Sequence, residues 1–485
     1  MTGPSHPFAL DLTTLHASLG DPALLSMNFL NEVAGRFPDA ISFAPGRPTE
    51  ETFDVQDLHR YLDRFRAHLA EQFGHDETRV RRALFQYGRT KGIVHDLLAR
   101  HLAVDEGITA DPESLVVTVG AQEALWLVLR ALRADARDVV LAVAPTYVGL
   151  TGAARLLDMP VRFVAEGPDG IDFADLTGTI LAARAAGEQP RALYVVPDFS
   201  NPSGTTLSLA ARRRLLDLAA REGLLILEDN PYGLFRAAAR RPPTLKALDT
   251  TGHVVYLGSL AKSCFPGARV GFAVADQTVT LPGGGSGLFA DELSKIKSMV
   301  TVNTSAVGQA VVGGMLLEHD GSLVRANERR TALYRRNLDA LLDGLDARLG
   351  SLPGVRWNRP GGGFFVVLSL PFVADDALLE HSAVRHGVLW TPMSHFTTGE
   401  HARRQLRLSC SVLTEQQIST GLDRLHALIA ERTAAHDAPA ATRRTDRPAH
   451  PRGEATDHGN AGPGEAGEPR PRTHRASVQG RPQAP

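Results

Sequence analysis

The sequence predicts an α/β fold: a large, mostly parallel sheet wrapped by helices, followed by a smaller α+β domain. Three observations carry this. Seven short apolar runs recur at 115–119, 139–143, 161–164, 192–196, 224–227, 254–257 and 270–274. Helical patterns fill the gaps between them, for example at 123–132, 209–221 and 288–299. Strands alternating with helices form a parallel sheet covered on its faces. And 485 residues exceed what one small core organises, so two packed lobes are expected.

Composition narrows the function classes. The apolar (43%) and charged (22%) fractions are those of a soluble globular chain. A formal net charge of −2 gives no general attraction for nucleic acid or an anionic membrane. No run approaches the roughly 20 apolar residues of a membrane helix. Residues 1–12 lack a basic stretch followed by an apolar core, so no secretory signal is expected and the cytoplasm is the expected compartment. Two cysteines, Cys264 and Cys410, cannot build a disulfide framework or a zinc site, and no metal is expected.

Along the chain, residues 1–50 read as an N-terminal segment and arm, with a helix over 22–36 (Leu24, Leu25, Met27, Phe29, Leu30, Val33) and a Pro/Gly turn over 41–48. The large domain spans 51–330. It opens with a helix carrying Leu58, Leu62, Phe65 and Leu69, a polar loop at 86–92 with one aromatic, Tyr87, and a helix through Ile93, Leu97, Leu98 and Leu102. Residues 281–287, rich in glycine, read as a flexible loop. The small domain spans 331–432, with strands near 365 and 405–409, a helix around 375–386 and a last helix to about 432. Residues 433–485 contain one large aliphatic residue, Val478, and are expected to be a disordered tail.

In a parallel sheet ligands bind at the carboxyl ends of the strands, so the residues after each run are the candidates. Gly120-Ala121-Gln122 opens a helix, which suits a phosphate or is an ordinary turn. Tyr147 stacks on a planar ring or is core. Asn201, in Asn-Pro-Ser-Gly, belongs to a turn and also offers an amide to a ligand oxygen. Asp229 ends a buried strand, where a carboxylate is costly without a partner such as a protonated pyridine nitrogen. Lys262 follows the apolar run at 254–257, with Ser259 three residues before it and Arg269 seven after. Desolvation and nearby positive charge lower a lysine's pKa and make its amine a nucleophile for carbonyls. Pyridoxal 5′-phosphate (PLP) needs such an amine, with hydroxyl and guanidinium donors for its phosphate. A surface lysine in a Pro-Gly turn is the competing reading. Arg407 lies between Leu406 and Leu408 and needs an anionic partner, either a substrate carboxylate or a structural carboxylate.

Taken together, these stretches resemble the class I/II aminotransferases of the fold-type I PLP enzymes, over residues 22–432, and most of all the kynurenine/2-aminoadipate subgroup. The family pattern of Ser, two residues, Lys, then Pro-Gly-x-Arg is matched by Ser259, Lys262, Pro266, Gly267 and Arg269. The resemblance implies that Lys262 carries the cofactor and acts as the general base. Ser259, Arg269 and the Gly120–Gln122 turn would hold its phosphate, Tyr147 would stack on its ring, Asn201 and Tyr232 would donate to its phenolic oxygen, and Asp229 would keep its nitrogen protonated. Arg407 would grip the substrate carboxylate, with Asn201 and Gly46 beside the substrate. Tyr87 would reach the phosphate in a neighbouring subunit, which implies a homodimer with shared sites. The implied reaction moves an amino group between an L-amino acid and a 2-oxo acid by a ping-pong cycle. Two positions depart from the pattern. Ala261 stands where many relatives have a second serine, and Val143 where relatives often have a glutamate.

For substrate, residues 26–32, 297–305 and 389–393 resemble aminotransferases that make unusual amino acids for peptide natural products. Among these the (S)-3,5-dihydroxyphenylglycine type is the nearest and the guanidino or 2-aminoadipate type is the alternative. Trp390, Met393 and Phe396 suit an aryl side chain or core packing. Elimination or decarboxylation on the same fold is the rival chemistry. A transcription regulator with an aminotransferase-like domain is the rival class. It needs a DNA-binding module ahead of this fold, and only about 20 residues precede the first matched helix.

Overall fold

The computed structural model describes residues 9–21, 24, 26, 32, 35–236 and 242–437. Most of the helix expected over 22–36, and the tail from 438 onward, lie outside the described residues. Residues 433–437, expected to begin the tail, instead continue the last helix, Glu415–Asp437.

The seven apolar runs form one sheet: β1 (Leu115–Thr118), β2 (Asp138–Ala144), β3 (Val161–Ala165), β4 (Gln189–Val195), β5 (Leu225–Asp229), β6 (Val254–Ser259) and β7 (Gly271–Val274). Their order is β1-β7-β6-β5-β4-β2-β3. Every pairing is parallel except the two made by β7. The inner strands are buried on both faces, which is why they read as continuous apolar runs. The edge strand β3 exposes Arg162 and Phe163.

Most helices around the sheet start on a side-chain cap, as Asp172 does for Phe173–Ala185 and Ser208 for Leu209–Glu222. Ala121–Leu132 differs: it starts at Gly120, with φ of 79° and no side-chain cap, which leaves its first N–H groups open.

A second sheet is antiparallel: β8 (Arg356–Trp357), β9 (Phe365–Ser369), β10 (Thr391–Pro392) and β11 (Gln405–Ser409), in the order β8-β9-β11-β10. It shares an apolar core with the helices Glu328–Leu349 and Glu415–Asp437. The turn expected over 41–48 begins with a short strand, Ile41–Ser42, paired parallel to Val388–Leu389. That pairing anchors the following backbone, 44–47, beside the large sheet's carboxyl edge, where it lines the same cavity as Asp229 and Lys262. The glycine-rich 281–287 segment is the tip of a hairpin rather than a free loop. Thr278–Thr280 pairs with Ser286–Leu288, and Gly283, Gly284 and Gly285 take the positive φ the turn requires.

Candidate active site

The carboxyl ends of β1, β2, β4, β5 and β6 meet at one cavity of about 480 Å3. Of the candidates, Gly46, Gly120, Ala121, Gln122, Tyr147, Asn201, Asp229, Tyr232, Ser259, Lys262, Arg269 and Arg407 all line it. The large sheet's strand ends supply most of these residues, and Gly46 and Arg407 reach the cavity from the segment and strand tied to the second sheet's side.

Lys262 sits just past β6, and its Nζ donates to the Gly46 carbonyl at 2.9 Å. Burial, then Arg407 and Arg269, push its amine down to about 8 against the opposing pull of Asp229. The neutral amine, which nucleophilic attack and proton abstraction both require, is therefore more accessible near neutrality than in an ordinary lysine. Asp229, the last residue of β5, accepts the Tyr194 hydroxyl on Oδ2 at 2.6 Å. Its Oδ1 is buried with no hydrogen-bond partner among the described residues. Burial raises its carboxyl to about 6, although the Tyr194 hydrogen bond and Lys262 pull the other way.

Arg407 lies on β11, and no carboxylate pairs with it among the described residues. Nη1 donates to Asn201 Oδ1 at 2.6 Å, and Nη2 to the Ala44 carbonyl at 2.8 Å and to Thr391 Oγ1 at 3.3 Å. Its guanidinium lies over Phe365 (4.4 Å) and Phe396 (4.9 Å), and Nε has no partner. Burial lowers it to about 10. The structural ion pair that the sequence left open is therefore not made. Asn201, held by Arg407 through its oxygen, lines the cavity together with Tyr232.

Gly120 and Arg269 form the cavity's open corner. A Cβ at position 120 would fall 2.4 Å from Arg269 Nη2, so glycine lets the guanidinium close on the helix start. Arg269 itself takes a left-handed φ of 50°, and among the described residues its guanidinium makes two hydrogen bonds, both at 3.5 Å, to backbone carbonyls. Gln122 donates to the Gly149 carbonyl at 2.7 Å and leaves Oε1 unpartnered. A Cβ on Gly149 would lie 2.2 Å from the Tyr147 ring.

Tyr87 stands apart from the cavity: it is 84% exposed, and Phe85, two residues before it, and Met299 of the helix Phe289–Val300 are exposed as well. Trp390 is not a substrate contact. It is fully buried in the second core and donates to Ser382 Oγ at 3.1 Å. Met393 and Phe396 pack with Val148 and Val367, and neither lines the cavity. Cys264 and Cys410 are buried core thiols pushed up to about 12. Sequence reading missed Tyr194, Arg47, Leu125, Val196 and Pro231 in the lining. For Tyr194 a signal existed: it sits on the buried strand that precedes Asn201.

The family model for aminotransferase class I and II matches residues 53–425. The chain is a class I and II aminotransferase. The aminotransferase is 55% identical over 423 residues to an (S)-3,5-dihydroxyphenylglycine transaminase of Amycolatopsis orientalis, covering 87% of this chain and 95% of that one. Its fold matches a kynurenine aminotransferase of Pyrococcus horikoshii with a TM-score of 0.71 at 27% identity, over 88% of this chain and 97% of the other. It matches equally, at 29% identity and TM-score 0.71, an α-aminoadipate aminotransferase of Thermus thermophilus complexed with N-(5′-phosphopyridoxyl)-L-leucine, over 88% and 100% of the two chains. The expected fold-type I architecture is thereby borne out, and the aminotransferase uses PLP. The cavity fits that cofactor: it offers a buried carboxylate oxygen without a partner, an amine at a strand end, and an uncapped helix start facing a loosely held guanidinium.

Proposed function

We propose that this aminotransferase interconverts an arylglycine of the (S)-3,5-dihydroxyphenylglycine type and its 2-oxo acid, in natural-product biosynthesis in the cytoplasm. The 55% identity to a transaminase named for that substrate, over 95% of that protein's length, carries the substrate assignment. Among the described residues no helix is long and apolar enough to cross a membrane, and the reading needs none.

Bound PLP supplies the electron sink that makes an amino acid's α-proton removable and carries the amino group between two half-reactions. In our reading Lys262 would hold the cofactor, and its neutral amine would serve as the base that moves the α-proton. Arg407 binds the substrate carboxylate through the edge that Phe365 and Phe396 leave open. Its pairing with Asn201 couples substrate binding to the group that, with Tyr232, donates to the cofactor's phenolic oxygen. Asp229 would hold the ring nitrogen through its unpartnered Oδ1, and Tyr147 would stack on the ring. Ser259, Arg269 and the open N–H groups after Gly120 hold the phosphate, with Gln122 compensating for the hydroxyl absent at Ala261. Residues 51–330 serve as the cofactor domain and 331–432, with the second sheet, as the domain bringing Arg407. Exposed Tyr87, Phe85 and Met299 suit burial against a second copy, placing Tyr87 at that copy's phosphate in a homodimer.

The test is a spectrum followed by turnover. The purified protein should show the visible band of a lysine-bound cofactor, and Lys262→Ala should lack it. (S)-3,5-dihydroxyphenylglycine should bleach the band, and a 2-oxo acid should restore it. Bleaching by 2-aminoadipate or kynurenine but not by the arylglycine would overturn the substrate assignment. A band that no 2-oxo acid restores would point to elimination or decarboxylation.

A further inference from the structure

We propose that Tyr194 is a positioning residue for the reaction: it holds Asp229 ionised and fixed, so that a single carboxylate oxygen meets the cofactor's ring nitrogen. The inference rests on the PLP site as read above. It begins with strand register. On the parallel pair β4–β5, Tyr194 is opposite Leu227. Leu227 and Asp229 are two residues apart and so share a face of the sheet with Tyr194. A tyrosine ring is long enough to lean along the strands toward the carboxyl edge, and there its hydroxyl meets Asp229 Oδ2 at 2.6 Å.

Both partners are deeply buried, Tyr194 at 1% exposure and Asp229 at 7%. Burial and the adjacent Asp229 carboxylate raise the phenol well above its ordinary range, so it stays a donor and the carboxylate is the acceptor. The hydrogen bond favours the charged form of Asp229 against the desolvation that would protonate it. It also occupies Oδ2, which leaves Oδ1 as the unpartnered atom. A carboxylate that is both charged and locked by one oxygen presents the other in a fixed direction. That is what a counter-ion for a cationic ring nitrogen needs, and a carboxyl free to rotate or to protonate would not provide it. Were Tyr194 only a core residue, phenylalanine would fill the same space without burying a hydroxyl.

The experiment uses the full-length holoenzyme and three variants: Tyr194→Phe, Asp229→Asn, and both together. PLP affinity is measured by titrating cofactor back into the resolved protein and following the visible band, alongside kcat, KM and Tm. Tyr194→Phe should weaken PLP binding and lower kcat by roughly tenfold each, as expected for a hydrogen bond to a buried charged group, with KM for the amino acid little changed. With Asp229→Asn already present, the same substitution should change affinity and kcat less than about twofold, since its acceptor no longer carries charge. The double variant also relieves the unpaired carboxylate, so it keeps the test alive if Tyr194→Phe alone folds poorly. Wild-type affinity and kcat in Tyr194→Phe with a lowered Tm, or equal effects in both backgrounds, would reduce Tyr194 to packing. If Asp229→Asn itself left PLP binding and turnover intact, the reading of the site would fail, and that outcome is distinct from failure of the Tyr194 proposal alone.

Discussion

Glu228 and Asp229 are neighbours on β5, both buried, and they meet opposite fates. Successive side chains on a strand point to opposite faces. Glu228 points to the face where the short helix Leu245–Leu248 begins, and both its oxygens are taken, by the Leu245 N–H at 2.8 Å and the Lys246 N–H at 2.7 Å. Asp229 points to the cavity with one oxygen taken and one not. Two buried arginines repeat the contrast. Arg212 spends its guanidinium on three backbone carbonyls and the Asp198 carboxylate. Arg407 meets no carboxylate and keeps Nε unpartnered. Desolvation opposes all four charges. Where the protein answers the charge in full, the residue is structural. Of these four, the two left with a remainder, Asp229 and Arg407, both line the cavity, where a ligand of opposite charge can answer it.

The largest test of this contrast is Asp229→Asn. It should lower kcat/KM roughly 1000-fold, about 4 kcal/mol of transition-state stabilisation. In the cofactor-free protein the same change should leave Tm equal or higher, because it removes a buried charge that no ion pair answers among the described residues. Steady-state kinetics with scanning calorimetry check both halves, and wild-type turnover would remove Asp229 from the site. Next comes Arg407→Lys. Lysine keeps the charge and loses the planar fork, so the amino-acid KM should rise and kcat/KM should fall by roughly 100-fold, with PLP affinity unchanged. A loss confined to Tm would make Arg407 structural like Arg212.

How much of this was legible beforehand follows the same division. The sheet was readable because its strands are continuous apolar runs between helical patterns, and the strand-end rule then pointed at Gly120, Tyr147, Asn201, Asp229 and Lys262. Arg407 was visible as a charge in an apolar strand, but whether its partner was internal could not be read from spacing. Tyr194 escaped because an aromatic inside a buried strand looks like core until register sets it beside Asp229. For Trp390 the sequence left substrate contact and core packing both open, and the structure has it in the second core, bonded to Ser382. The strand Ile41–Ser42 was hidden because two residues carry no periodicity, and its partner lies some 350 positions away.

Glu228→Gln probes the satisfied carboxylate. An amide can accept only one of the two N–H donors, so stability should fall by about 2 kcal/mol while kcat per cofactor-loaded site stays within about twofold. Chemical denaturation and active-site titration separate the two. Equal losses of activity and stability would mean that the two faces of β5 are not independent.

The last test is one of pH, and it separates the two carboxylates within a single wild-type protein. In cofactor-free protein, burial raises Glu228 from 4.5 to about 7 and Asp229 from 3.8 to about 6. Between each pair of values the folded state binds the proton that the unfolded state has released. Stability should therefore fall as pH rises from about 4 to 7, with a limiting slope on the order of 1 kcal/mol per pH unit for each group. Lys262, lowered from 10.5 to about 8, acts above this window and in the opposite sense, raising stability with pH there. A cationic ring nitrogen beside Asp229 Oδ1 favours its ionised form and returns its pKa toward the ordinary range. Saturating PLP should thus remove the Asp229 share of the slope, mostly between pH 4 and 6, and leave the Glu228 share between 4.5 and 7. Urea midpoints measured across this range with and without PLP check it. Identical slopes in the two series would mean that the cofactor does not neutralise Asp229, and the distinction between an answered and an unanswered carboxylate would lose its functional meaning.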